Sequence, residues 1–201
     1  GGVGGTTSVY VRGAETRFTA VYIDGVRVDS QSTGGASWEG IPLSQIDRIE
    51  VLRGPAAAVY GSDSLGGVIQ IFTRKGEGAF SPYVGVGAGT YGLASADVGF
   101  SAAAGVWDYA LGASSESSRG YNSRSTATAN PDDDGYRHQS GSLRLGLQVN
   151  PLHRLEGTLL YSDMVSQYDS SATKDDQNLR LLQTTGLNWK GRWNDAYTTS
   201  L

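Results

Sequence analysis

Cysteine is absent from the 201 residues. That excludes a disulfide scaffold, a thiolate zinc site and thiol catalysis. It leaves the compartment open, because an extracytoplasmic protein can also do without cysteine. Histidine occurs only at His138 and His153, too few for a multi-histidine metal site, and neither sits in a catalytic motif. Prolines number 5, so neither a collagen repeat nor a proline-rich linker fits. Positive charge is outweighed, with 16 Lys+Arg against 20 Asp+Glu, a net charge of -4 and a pI near 5.1. That is the wrong sign for a general nucleic-acid binder. No hydrophobic run reads as a transmembrane helix. The longest uncharged stretch, Gly78 to Ala96, alternates and is broken by Gly85, Gly87, Gly89 and Gly92. A membrane β-strand stays open, since its signal is only alternation over about ten residues. No basic segment precedes an apolar run at the start, so no signal peptide is read there. The glycine-rich opening and the stop at Leu201, inside an apparent strand, read as a piece of a longer chain.

Glycine is abundant, with 29 residues, about twice the usual share. The first part, to about Arg74, mixes element types. Val21-Tyr22-Ile23 and Val26-Arg27-Val28 flank Asp24-Gly25. That pair tolerates the positive φ angles of a two-residue hairpin turn. Pro42 to Ile46 predicts a short helix with proline in its first turn. Ile49 to Leu52 predicts a strand, Ala56 to Val59 a second short helix, and Val68 to Phe72 a further strand. Gly66-Gly67 marks tight backbone before that last strand.

After Lys75 the period changes to two. Val84, Val86 and Ala88 alternate with glycines. Ala94 to Ala102 and Trp107 to Ala113 alternate likewise. The clearest run sets Leu143, Leu145, Leu147 and Val149 against Ser142, Arg144, Gly146 and Gln148. Leu155, Gly157, Leu159 and Tyr161 follow, then Leu187, Trp189 and Trp193. A seventh run begins at Tyr197. Period two means one apolar and one polar face. A soluble sandwich would alternate in the same way. A Gly/Ser-rich polar face suits a wide lumen better, and Tyr83, Tyr91, Trp107, Tyr161, Trp189 and Trp193 fall near the expected strand ends, where girdles sit. Connection lengths add to this. Ala103-Gly105, Asn150-His153 and Asn194-Asp195 read as tight turns, whereas Ser115 to Gln139 and Asp163 to Arg180 read as long loops. In a meander, both long loops emerge on one side and the tight turns on the other, the outer-membrane pattern.

Arg53-Gly54-Pro55, Tyr60-Gly61-Ser62 and Gly66-Gly67-Val68-Ile69, with Val11-Arg12-Gly13 and Ile23-Asp24-Gly25-Val26 ahead of them, resemble the plug signature of TonB-dependent outer-membrane transporters. The match covers roughly residues 6 to 75. The resemblance implies an α+β plug domain over residues 1–75. Residues 76–201 would then be the first antiparallel transmembrane β-barrel strands. The whole would be a plug filling a barrel of about 22 strands, of which about seven strands are here. It further implies a bacterial outer-membrane location and contact with lipid. It implies TonB as the partner that supplies energy, through a Ton box outside these residues. No Gly-x-x-x-x-Gly-Lys nucleotide loop is present, in keeping with an external source. Arg12 and Arg53 would pair with barrel-wall carboxylates, since a charge in that interface needs a partner.

Within the family, two loops are similar to those of its cobalamin receptors, where calcium is bound. The first carries Gly120-Tyr121-Asn122 and Asn130-Pro131-Asp132-Asp133-Asp134-Gly135. The second carries Gln167-Tyr168-Asp169 and Asp175-Asp176. The implied Ca2+ ligands are Asn122, Asn130, Asp132, Asp134, Tyr168 through its carbonyl, Asp169, and Asp175 or Asp176. Asn122 stands where the family has Asp, which removes one formal charge. Calcium takes six to eight hard oxygens, and Asp-x-Asp-Gly lets carboxylates converge around a turn. Asp and Gly dominate turns in any case. Two such loops on one side, together with the resemblance, point to the cation. Ligand contacts would come from the plug positions Thr6, Ser8, Glu15, Thr33 and Gly34. Glu15 replaces an uncharged amide, and Trp38 also departs from the family pattern. The expected activity is uptake of a scarce large ligand, cobalamin first and a ferric siderophore or haem next. A calcium-binding cell-surface adhesion or structural β-protein is the alternative of another class, and it would have no need of a plug. An enzyme is not expected, because Ser62 and Asp63 have no credible base nearby in sequence.

Overall fold

A computed structural model describes residues 7–29, 34–54, 57–61, 64–122, 130–171 and 173–201. Strand β1 (Thr19–Ile23) turns directly into β2 (Val26–Arg27). The turn residues Asp24 and Gly25 have φ of 47° and 85°, the pair of positive angles that a type I′ hairpin requires. Strand β3 (Ile46–Arg53), the single-turn helix α1 (Ala57–Tyr60) and β4 (Gly67–Thr73) complete the first unit. The sheet order is β2-β1-β4-β3, with β4 parallel to β1 and antiparallel to β3. Residues Leu43–Gln45 form a 3-10 turn where a short helix is expected.

Gly66 and Gly67 lie where other backbone comes close. A Cβ on Gly67 would stand 2.5 Å from the Leu52 carbonyl oxygen, and one on Gly66 3.1 Å from that of Phe18. Glycine is therefore required at this entry to β4.

Seven strands follow as one antiparallel meander, which we call the wall. They are β5 (Ser81–Ala88), β6 (Ala94–Ala104), β7 (Trp107–Tyr121), β8 (Asp134–Asn150), β9 (His153–Ser171), β10 (Lys174–Arg192) and β11 (Thr198–Ser200). Each pairs with its chain neighbours in the order β11 to β5, and the sheet is open, with β5 and β11 at its edges. Among the described residues no helix is long and apolar enough to cross a membrane. The links after β5, β7 and β9 are on one side and those after β6, β8 and β10 on the other, as a meander dictates.

Two sequence expectations need correction. Asp163 to Arg180 is not a long loop. β9 continues to Ser171 and β10 begins at Lys174, paired in register over nearly their full length. The first loop also shortens, because β7 runs to Tyr121 and β8 starts at Asp134. The ends of these strands at the β7–β8 and β9–β10 links are mostly polar on both faces, so the apolar period vanishes there while the backbone ladder persists. The girdle assignment also changes for two residues. Tyr83 faces inward, with the Arg74 guanidinium 4.3 Å from its ring centre. Tyr161 lies in the middle of β9. Trp107 opens β7, and Trp189 and Trp193 cluster with His153 beside the β8–β9 turn, with ring separations of 5.1 to 5.7 Å.

The wall presents Val84, Val86, Leu111, Leu145, Leu159 and Leu187 outward as exposed side chains. Its inner face covers the first unit. Val21, Ile23, Ile41, Ile69 and Ile71 form a buried cluster together with Leu160 of β9, which is 2% exposed, and Trp38 and Leu182 pack against it. The main core therefore lies between the small sheet and the wall.

Candidate functional site

Ser8 and Glu15 are exposed. Glu15 pairs with Arg17 at 2.7 Å, an ion pair open to solvent on both sides that contributes little to stability. Gly34 has φ 80° and its carbonyl accepts from the Thr16 hydroxyl. A Cβ on Gly35 would lie 3.2 Å from that of Thr16. The segments of Glu15 and Gly34 thus meet through Thr16. The backbone N–H of Thr7, beside Ser8, donates to the Glu39 carboxylate. Glu39 in turn faces Arg180 of the wall at 3.9 Å. Thr6 and Thr33 lie outside the described residues.

A cavity of about 380 Å³ opens between residues 38–44 and β6–β9. Trp38, Glu39, Glu116, Tyr136 and His138 line it. The Tyr136 hydroxyl donates to Glu116 at 2.6 Å, and the His138 ring contacts the Ser162 hydroxyl at 2.7 Å. Ile41, Pro42, Leu43 and Met164 add apolar surface beside these polar groups, a mixture that holds a ligand by shape and a few polar contacts.

The expected calcium ligands fall at the outer ends of β7 to β10. The Asn122 amide donates to the Asn130 carbonyl at 3.1 Å, which joins the two ends of the first loop. Tyr121 pairs with Asp134 across the ladder. The Gly135 N–H donates to the Gln167 side chain at 3.1 Å and ties β8 to β9. Asp169 is 3% exposed and opposite Asp175, and Tyr168 is opposite Asp176, whose carboxylate accepts from Ser170. All these donors are oxygens, the type a hard cation takes. Among the described residues, no three His, Asp or Glu side chains converge to hold a metal. The donor chemistry fits calcium, while the arrangement of the described side chains does not by itself close a coordination shell.

Sequence reasoning missed a third region. Arg144 of β8 donates to Asp24 at 3.0 Å, to the Thr73 carbonyl at 3.1 Å and to Glu156 at 2.7 Å. Arg154 holds Asp108 through two bonds of 2.7 and 3.0 Å and reaches Glu156 at 3.2 Å. Asp24 also accepts from the Thr73 N–H and hydroxyl, at 3.0 and 2.5 Å. Five charges therefore alternate in sign from the hairpin tip into the wall. Alternation in β7–β9 marks these wall residues as inward-facing, but nothing local says which plug residue they meet.

Residues 1–68 match the family model of the TonB-dependent receptor plug domain. Over 85% of its length the chain is 37% identical to the vitamin B12 transporter BtuB of Photobacterium profundum, of which it spans 28%. Over 100% it is 33% identical to the BtuB of Vibrio vulnificus, of which it spans 33%. The chain belongs to the TonB-dependent receptors. It spans about a third of the length of the curated relatives it matches. The siderophore receptor PirA from Acinetobacter baumannii matches 96% of the chain with a TM-score of 0.70 at 21% identity, over 32% of that receptor. The ferripyoverdine receptor of the outer membrane of Pseudomonas aeruginosa matches 96% of the chain and 28% of its own length, with a TM-score of 0.72 at 16% identity. At such identities these two establish the fold. The small sheet is thus the receptor's plug, the meander is part of its barrel wall, and its place is the bacterial outer membrane.

Proposed function

We propose that the receptor takes up cobalamin across the outer membrane, driven by TonB acting on the plug, with calcium ordering the outer ends of β7 to β10. One observation carries the choice of ligand. The likeness to the vitamin B12 transporters is not confined to the plug; at 33% identity it extends along the whole chain, through the wall strands and the acidic hairpins. The structural likeness to siderophore receptors concerns the fold and does not favour their ligands. In this reading Ser8, Glu15, Gly34 and the cavity beneath Trp38 contact a large neutral ligand through shape and a few polar groups. The oxygen donors of Asn122, Asn130, Asp132, Asp134, Tyr168 and Asp169 would hold calcium, with Asp175 or Asp176 completing the set. The cation offsets the repulsion among gathered carboxylates, so it favours the ordered arrangement of the hairpins. The chain's own residues bind and orient the cargo and carry out no covalent step.

The test is titration calorimetry on the full-length receptor with cobalamin, with and without a calcium chelator, beside TonB-dependent uptake in cells. Cobalamin binding that strengthens with calcium supports the reading. Binding of a ferric siderophore in place of cobalamin overturns the ligand, and uptake that continues without TonB overturns the mechanism.

A further inference from the structure

The plug touches the wall through Gln45 and Ser142, Gly40 and Ser162, and Glu39 and Arg180, and two further seams are of opposite character. The first is apolar. Leu160 is embedded among Val21, Ile23, Ile41, Ile69 and Ile71, and Leu182 packs against the same cluster. Parting this seam exposes hydrocarbon to water and gains nothing in return. The second is ionic. Asp24 at the hairpin tip meets Arg144, and a cavity of about 300 Å³ borders the pair, lined by Gln70, Arg154, Glu156, Asn188 and Lys190 among others.

We propose that the plug parts from the wall along the Asp24–Arg144 seam, tilting about the Leu160 seam, which stays closed. The partners on each side explain why. A buried ion pair is hard to separate when one charge is left stranded. Here neither is. Asp24 keeps the N–H and hydroxyl of Thr73, both within the plug. Arg144 keeps Glu156 of the neighbouring strand. Glu156 also keeps Arg154, and Arg154 keeps both oxygens of Asp108. Separation removes the Arg144 contacts to Asp24 and to the Thr73 carbonyl and lets water from the adjoining polar cavity replace them. Asn188 lies at that junction, its side-chain oxygen 4.0 Å from the position of a Cβ on Gly25. The opening so made is lined by charges and amides and suits passage of a hydrophilic cargo along β8 to β10.

This rests on the reading that cargo passes between plug and wall, but its test needs no cargo. Single cysteines are introduced into the purified full-length receptor at Asn188 (Asn188→Cys) and at Leu160 (Leu160→Cys). These 201 residues contribute no competing thiol, and any cysteine elsewhere is first replaced by serine. Reaction with a charged maleimide is timed in the parent and with Asp24→Asn added. The expected result is faster labelling of Asn188→Cys by about tenfold, with Leu160→Cys still protected. Arg144→Gln is expected to act in the same way, which guards against a fault peculiar to one variant. Equal acceleration at both cysteines, or none at Asn188→Cys, overturns the proposal. Failure of cobalamin binding alongside the expected labelling would remove the cargo and leave the seam. Cobalamin binding with the wrong labelling would do the reverse.

Discussion

The hydroxyl of Ser142, on β8, donates a 2.6 Å hydrogen bond to the side-chain oxygen of Gln45 in the plug. Gln45 is 1% exposed, so this oxygen has little recourse to water. Gly112 of β7 leaves room for it: a Cβ there would overlap the same oxygen. Gly112→Ala should therefore push the plug off the wall and destabilise docking by about 1–3 kcal/mol. Ser142→Ala should cost about 1–3 kcal/mol through an unsatisfied acceptor. Hydrogen exchange of the plug amides in the full-length receptor measures both, and unchanged protection in Gly112→Ala would show that the contact is dispensable.

Gly67 and Gly105 separate two effects of adding a methyl group. Both have positive φ, at 151° and 62°. A Cβ at Gly67 meets the Leu52 carbonyl oxygen, whereas Gly105, in the β6–β7 turn, has nothing within 4 Å. Gly105→Ala should cost about 1–2 kcal/mol of backbone strain. Gly67→Ala should cost more, because strain and a backbone clash add. Chemical denaturation of the two variants side by side gives the difference, and equal losses would contradict the close approach of β3 to β4.

Leu145 is 43% exposed on the outer face while its neighbour Arg144 turns inward to the plug. Leu145→Arg should destabilise insertion by about 2–4 kcal/mol if the site is near the bilayer midplane. Spin labels should report a lipid-soluble relaxant at position 145 and not at 144. The opposite pattern would reverse the faces of the wall.

Calcium should bind less tightly to Asp132→Ala/Asp134→Ala than to the wild type. Cobalamin affinity in the wild type should rise with calcium, and by reciprocity the ligand should tighten calcium by the same factor. Titration calorimetry on the full-length receptor reads both. Equal calcium binding by the double variant would place the cation elsewhere.

Much of this architecture was legible in the chain. Asp24-Gly25 specified its turn through local φ preferences, and the alternation of Leu143, Leu145 and Leu147 specified a face. These signals are local, so a sequence carries them openly. The extent of β9 and β10 was not legible, because Gln167 to Asp176 is polar on both faces and only the ladder to the partner strand defines it. The inward turn of Tyr83 was hidden for a related reason, since an aromatic ring suits a girdle and a lumen equally. Arg144 was readable as inward-facing, but its partner Asp24 is 120 residues away, and no periodicity links such a pair. Of the candidate ligand contacts, the motif order placed Glu15 and Gly34 in the plug, and Thr16 proved to be what joins them.

The 19-residue strands β9 and β10 have a mechanical consequence. At about 3.4 Å per residue and a tilt of about 45°, they rise about 45 Å. A hydrocarbon layer of about 30 Å leaves about 15 Å standing clear of the membrane as a paired ribbon. With calcium holding the hairpins, as proposed above, such a mast keeps one arrangement along its length. A ligand that lands on it freezes few torsions, so less of its contact energy is lost to ordering than on a slack tether. The receptor's reach into the medium is thereby set by strand length, and lengthening the ribbon by a pair of residues on each arm would extend that reach without loosening it.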